Sequence, residues 1–236
     1  MADEAIPAAT LVVVRDTASA PEFLMVERSE GMAFAAGALV FPGGRIDDAD
    51  RASGADAAVV AAIRETIEET AIPVGLTPTP VADGSRDIQT ALLAEGNVGQ
   101  ILKDAGVELD PAALTPFARW VPKFHAVRRF DTMFFIARCP PGEWTPNVIE
   151  GECARACWIT AADALAEARL IFPTRRNLER LAQHRSFDEI RADALAHPIE
   201  PVTPWVAERD GEKFITIPDH LGYPVTEERL DGLRRG

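Results

Sequence analysis

Residues 41–72 read FPGGRIDDADRASGADAAVVAAIRETIEETAI, and the order of features inside this stretch decides the fold. Ala38 to Phe41 (ALVF) is a short apolar strand candidate, and Pro42-Gly43-Gly44 behind it forces the chain to turn. Over residues 55–72 the pattern becomes helical: Val59, Ile63, Thr66, Ile67 and Thr70 fall within about 100° of arc at 3.6 residues per turn. Glu65, Glu68 and Glu69 lie on the other side. Ser53 followed by Asp56 predicts a capping box at the helix start, and Pro73 predicts its end.

The three glutamates are the first chemical signal. Spacings of three and four residues put Glu65, Glu68 and Glu69 on one face of one helix turn. Unneutralised, such neighbours repel by about 0.2–0.5 kcal/mol per pair and push at least one carboxyl pKa upward. A hard divalent cation reverses that cost, because Mg²⁺ takes oxygen ligands and keeps positions for water and phosphate oxygens. Such a cation polarises a phosphoryl group and helps generate hydroxide. A merely solvated acidic face is the alternative. The Pro-Gly-Gly turn before the helix, and Arg64 placed to orient the carboxylates, favour a site.

Outward from this core, residues 10–15 (TLVVVR) and 22–27 (EFLMVE) read as strand, turn, strand. Residues 76–84 look like a loop, and 85–106 like a helical stretch interrupted near Gly96 and Gly99. Strands are expected at 117–121, 131–137 and 155–159, then helices at 161–168 and 174–196. The tail from Pro198 holds a strand candidate at 213–217 and a Pro218-Asp219 turn. No internal repeat or low-complexity segment occurs. Strands, one acidic helix, more strands and terminal helices predict an α+β fold, a mixed sheet between helical layers. The chain is expected to be one domain over 1–236, with 198–236 as an extension packed on it.

The 236 residues carry a formal net charge of −13, which repels a nucleic-acid backbone. A small anionic substrate stays compatible, since a bound cation inverts the local field. Apolar runs such as 11–14 and 33–41 fall short of the roughly 20 residues that span a bilayer. Cys139, Cys153 and Cys157 are an odd number, with no basic-then-apolar leader at the N-terminus; the expectation is a cytoplasmic protein with reduced, inert thiols. His184, His197 and His220 are isolated and expected at the surface or in caps.

Residues 44–72 resemble the Nudix box, Gly-x5-Glu-x7-Arg-Glu-U-x-Glu-Glu-x-Gly-U, with U a bulky aliphatic residue. Arg64, Glu65, Glu68, Glu69 and Ile72 match directly, and Gly44 matches the opening glycine. Counting back from Arg64 lands on Asp56 in place of the first Glu, with six extra residues between it and Gly44. Thr66 replaces an aliphatic residue and Ala71 the closing glycine; a positive φ at Ala71 costs on the order of 1 kcal/mol. The resemblance implies a Nudix fold and Mg²⁺ or Mn²⁺ held by Glu65, Glu68 and Glu69 with the Gly44 carbonyl. It also implies hydrolysis of a phosphoanhydride in a nucleoside diphosphate linked to a group X, with Arg64, Glu65 and Glu68 in catalytic roles. A carboxylate outside the box, Glu150 or its neighbour Glu152, is a candidate base or metal ligand; a plain acidic loop is the other reading.

The inserted box, with Arg129-Phe130-Asp131-Thr132 leading into a strand, is similar to the branch containing the peroxisomal coenzyme A diphosphatase. The likeness runs over about residues 11–181 and implies coenzyme A or acyl-coenzyme A as substrate. Arg129, with Arg128 and His125 before it, is a candidate phosphate contact or ordinary surface charge. Pyrophosphatases acting on ADP-ribose, nucleotide sugars or dinucleotides, and a non-catalytic nucleotide sensor, are the alternatives. The expected partner is a small nucleotide-containing molecule, not a nucleic-acid polymer or a membrane, with a homodimer left open.

Overall fold

The computed structural model describes residues 5–31, 35–95, 97–122, 129–149, 151 and 153–230. In chain order the elements are β1 (Ile6–Arg15), β2 (Glu22–Arg28), β3 (Leu39–Val40), β4 (Gly43–Arg45), α1 (Asp48–Arg51) and α2 (Ala57–Thr70). Then come β5 (Leu76–Thr77), α3 (Ala82–Glu95), α4 (Val98–Asp104), β6 (Glu108–Leu109), β7 (Thr115–Trp120), β8 (Phe130–Arg138) and β9 (Cys153–Thr160). Helices α5 (Ala161–Glu167), α6 (Phe172–Leu181) and α7 (Phe187–Ala196) precede β10 (Pro201–Val202), β11 (Trp205–Arg209), β12 (Glu212–Thr216) and β13 (Glu227–Arg229).

The main sheet runs β10-β7-β8-β1-β2-β3, with β4 added to β1 and β9 to β2. It is mixed: β1 pairs parallel with β8 and antiparallel with β2. Because β1 is central, its side chains are buried on both faces, which explains the unbroken run Leu11-Val12-Val13-Val14. Strand alternation divides them. Leu11 and Val13 join Leu24, Phe135, α2, α3 and α4 in one core, while Val12 and Val14 join Phe23, Met25, Phe134, Ile136, α5, α6 and α7 in a second. The α+β expectation, a mixed sheet between helical layers, holds.

Three local expectations are corrected. Residues 174–196 are not one helix: the chain breaks after Leu181, and Ser186 caps α7 by accepting the Glu189 amide. The 76–84 loop contains strand β5, and α3 already starts at Ala82. Ser53 is no capping-box partner for α2; Asp56 is itself the N-cap, its side chain accepting the Ala58 amide at 2.9 Å. The interruption near Gly96 does separate α3 from α4. In the tail, Val202, Ile217, Leu221 and Tyr223 are buried in the second core. No helix among the described residues is long and apolar enough to cross a membrane.

Candidate active site

The acidic helix α2 is laid against β1 by its buried face: Val59, Val60, Ile63, Thr66, Ile67 and Thr70 are all buried. Thr66, buried where an aliphatic residue is usual, satisfies its hydroxyl by donating to the Ala62 carbonyl at 2.7 Å. Glu65, Glu68 and Glu69 are each partly exposed. Ala71 ends the helix in the left-handed conformation, φ 56°, the strained geometry the missing glycine predicted.

Arg64 organises the acids. Its side chain is 5% exposed and reaches Asp50 through Nε (2.9 Å) and Nη2 (3.0 Å), Glu65 and Glu68 through Nη1 (2.9 and 2.8 Å), and the Arg45 carbonyl through Nη2 (2.9 Å). Burial alone would lower its pKa. The Asp50 bonds and the Glu65 and Glu68 charges overcome this and hold the guanidinium above its ordinary value. Glu68 is shifted up by burial, with Arg64 opposing.

Asp50, fully buried, also accepts the Asp47 amide at 2.8 Å. It stands at Gly44-x5-Asp50, the position of the first acid in the box when counted forward from the glycine. The six extra residues therefore follow this acid instead of preceding it, and Asp56 is only a helix cap. Counting forward from Gly44 would have found Asp50.

Gly44 and Gly43 answer to close approach. A Cβ on Gly44 would sit 2.3 Å from Glu65 Oε1, and one on Gly43 would sit 2.5 Å from the Ala9 carbonyl oxygen. The Gly43 amide donates to Glu69 Oε2 at 3.1 Å, and the Cys153 thiol to Glu69 Oε1 at 3.3 Å. Burial, then the Glu65 charge, pushes the Glu69 carboxyl up to about 8, against these two bonds and the Arg28 charge. Cys153 thus touches the acidic turn, whereas Cys139 and Cys157 are half-buried free thiols shifted up by burial.

Of the remaining candidates, Arg129 lies at the entry of β8, its carbonyl accepting the Ile6 amide, and its side chain makes no hydrogen bond or ion pair among the described residues. It precedes Phe130, which lies opposite Ile6, two residues before the β4 pairing of β1 begins at Ala8, and no hydrogen bond or ion pair among the described residues joins it to the acids. Glu150, Glu152, His125 and Arg128 lie outside the described residues. His184 and His197 face Asp193 on the far side of the sheet, and His220 pairs with Glu200 at the surface.

Among the described residues no three acidic, histidine or cysteine side chains already converge as a ligand shell. The donor chemistry nonetheless fits a hard divalent cation: one buried guanidinium serves Asp50, Glu65 and Glu68, and Glu69 is left crowded by Glu65. That surplus of negative oxygen is what Mg²⁺ or Mn²⁺ neutralises.

The NUDIX domain family model matches residues 5–181, so the chain belongs to the Nudix family. A Nudix hydrolase from Alicyclobacillus acidocaldarius superimposes with a TM-score of 0.71 at 28% identity, covering 81% of this chain and 97% of that one. The Nudix domain of Shewanella oneidensis NrtR, complexed with ADP ribose, gives 0.50 at 14% identity over 77% and 88%, a likeness of fold. Among curated proteins no significant relative is found. With this family goes a hydrolase of pyrophosphate bonds.

Proposed function

We propose that this chain hydrolyses the diphosphate of a nucleoside diphosphate linked to a group X, with coenzyme A or acyl-coenzyme A as the favoured substrate. The observation that carries the reading is Arg64 clamping Asp50, Glu65 and Glu68 beside Gly44. Glu65, Glu68 and Glu69, with the Gly44 carbonyl, would hold Mg²⁺ or Mn²⁺, which supplies charge neutralisation at the phosphoryl oxygens and an acidified water.

The protein's own part is positioning. Arg64, locked by Asp50 and the Arg45 carbonyl, sets the orientation of Glu65 and Glu68 and prevents their mutual repulsion from splaying the turn. Arg129 is assigned to the substrate phosphate and Glu150 to the proton of the attacking water. The coenzyme A preference rests on the inserted box and Arg129-Phe130-Asp131-Thr132.

The test is incubation with Mg²⁺ and coenzyme A, acetyl-coenzyme A, ADP-ribose, NADH and diadenosine polyphosphates, beside a Glu68→Gln, Glu69→Gln double variant. The expected products, from the wild type alone, are 3′,5′-ADP and a phosphopantetheine. Turnover of a different panel member replaces X and keeps the mechanism. Nucleotide binding with no turnover overturns hydrolysis in favour of a sensor.

A further inference from the structure

The last carbonyls of a helix have no partner inside it and must be met from elsewhere. At the end of α2 the donors come from two distant segments. Gln89 Nε2 donates to the Glu68 carbonyl at 2.9 Å, the Asn147 amide to the Thr70 carbonyl at 2.8 Å, and Ser85 Oγ to the Ala71 carbonyl at 2.7 Å. Gln89 Nε2 also donates to the Asn147 carbonyl at 2.9 Å, and Gln89 Oε1 accepts from Asn147 Nδ2 at 2.7 Å. Gln89 is fully buried on α3. Its carboxamide spends both donors and its oxygen on two targets: the backbone of Glu68, and the loop over residues 139–149 that joins β8 to β9.

Ending a helix needs much less than this. A glycine beyond the last turn, or water, satisfies the same carbonyls. A buried carboxamide that reads the Glu68 carbonyl and a loop residue at once fixes the distance between them.

We propose that Gln89 and Asn147 are positioning residues for the hydrolytic site, a brace that holds the Glu68–Glu69 turn and loop 139–149 in one register. This rests on the metal-dependent reading given above. The brace acts on Glu68 through its backbone, so it sets where the carboxylate stands without touching substrate. Neighbours of this kind, removed from metal ligands, typically cost 10–100-fold in metal affinity or activity.

Gln89→Glu keeps the shape and aims a carboxylate at two carbonyls. Turnover and KM would be measured at saturating metal, Mn²⁺ affinity by calorimetry without substrate, and Tm. Ile190→Ala, in the second core away from α2, serves as the control for stability loss alone. The expected result for Gln89→Glu is a kcat lower by about 10–100-fold, KM within about twofold, and weaker Mn²⁺ binding by about tenfold. Ile190→Ala is expected to lower Tm and leave all three unchanged. Should Gln89→Glu not fold, Asn147→Ala, which removes one donor and keeps the backbone bonds, is expected to shift kcat and Mn²⁺ affinity in the same direction by less. A Tm loss with kcat and Mn²⁺ affinity intact overturns the brace. A wild type that binds Mn²⁺ but turns over nothing overturns hydrolysis, while the Mn²⁺ comparison still decides the brace.

Discussion

Two buried arginines sit on opposite faces of the sheet, and the balance of charge around them differs. Arg180, on α6, bonds Asp193 Oδ2 at 2.7 Å and the Phe117 carbonyl at 3.2 Å, and stacks over the Phe117 and Tyr223 rings. Its charge meets one carboxylate and aromatic faces. Arg64 is shared among Asp50, Glu65 and Glu68, with Glu69 beside them shifted up to about 8. A matched pair stabilises a core; an arginine outnumbered by acids leaves negative potential that invites a cation.

Breaking each pair gives the largest expected effects. Asp193→Ala strands the buried Arg180 guanidinium, a loss of about 3 kcal/mol or more in chemical denaturation, whereas Asp50→Ala costs less because Arg64 keeps Glu65 and Glu68. The functional effects are expected to run the other way: Asp50→Ala abolishes turnover, and Asp193→Ala leaves kcat of the folded protein intact. Equal loss of kcat in both would erase the contrast.

Next in size, if Glu68 holds the metal as proposed, Glu68→Gln should lower kcat by about 100-fold or more, a loss of several kcal/mol of transition-state stabilisation. Stability should change little, because the variant removes the burial penalty on the Glu68 charge and gives up its ion pair with Arg64. A Tm drop without a rate loss would make the turn structural like its counterpart across the sheet.

The surplus also predicts a pH dependence. Glu69 rises from 4.5 to about 8, and Glu68 rises too, so the folded state binds protons more tightly than the unfolded chain. Stability from this source is complete below the unfolded value of about 4.5 and is lost as pH climbs through about 8. Metal-free protein should therefore show a Tm falling between about pH 4.5 and pH 8 and levelling off above, and Mn²⁺ should reverse the fall. A flat metal-free profile would mean the acids are already neutralised.

Smallest are the backbone terms. Ala71→Gly relieves φ 56° and should add about 1 kcal/mol, or about 2–4 °C in Tm. Gly222 has φ 83° and would bring a Cβ within 3.0 Å of Arg180 Nε, so Gly222→Ala should cost about 1 kcal/mol or more.

The acidic turn was legible because helical periodicity is local: Glu65, Glu68 and Glu69 share a face at any helix orientation. Strand positions were legible for the same reason, through runs such as TLVVVR. Asp50 was not, because the count back from Arg64 crosses the insertion and lands on Asp56, and only the count forward from Gly44 reaches it. Gln89 and Asn147 gave no signal at all; only the tertiary fold brings a helix residue and a distant loop residue to one carbonyl. Cys153 read as inert until the β2–β9 pairing carried it to Glu69.

The parallel pairing of β1 with β8 has a consequence during synthesis. Ile6 lies opposite Phe130 and Val14 opposite Arg138, so the central strand gains its second neighbour only when residues 130–138 have been made. At roughly 5–20 residues per second that wait is on the order of 10 s. Through it the nascent chain displays an apolar strand with one open edge, a template for other chains. The ribosome-bound half of this protein is therefore the species most in need of a chaperone.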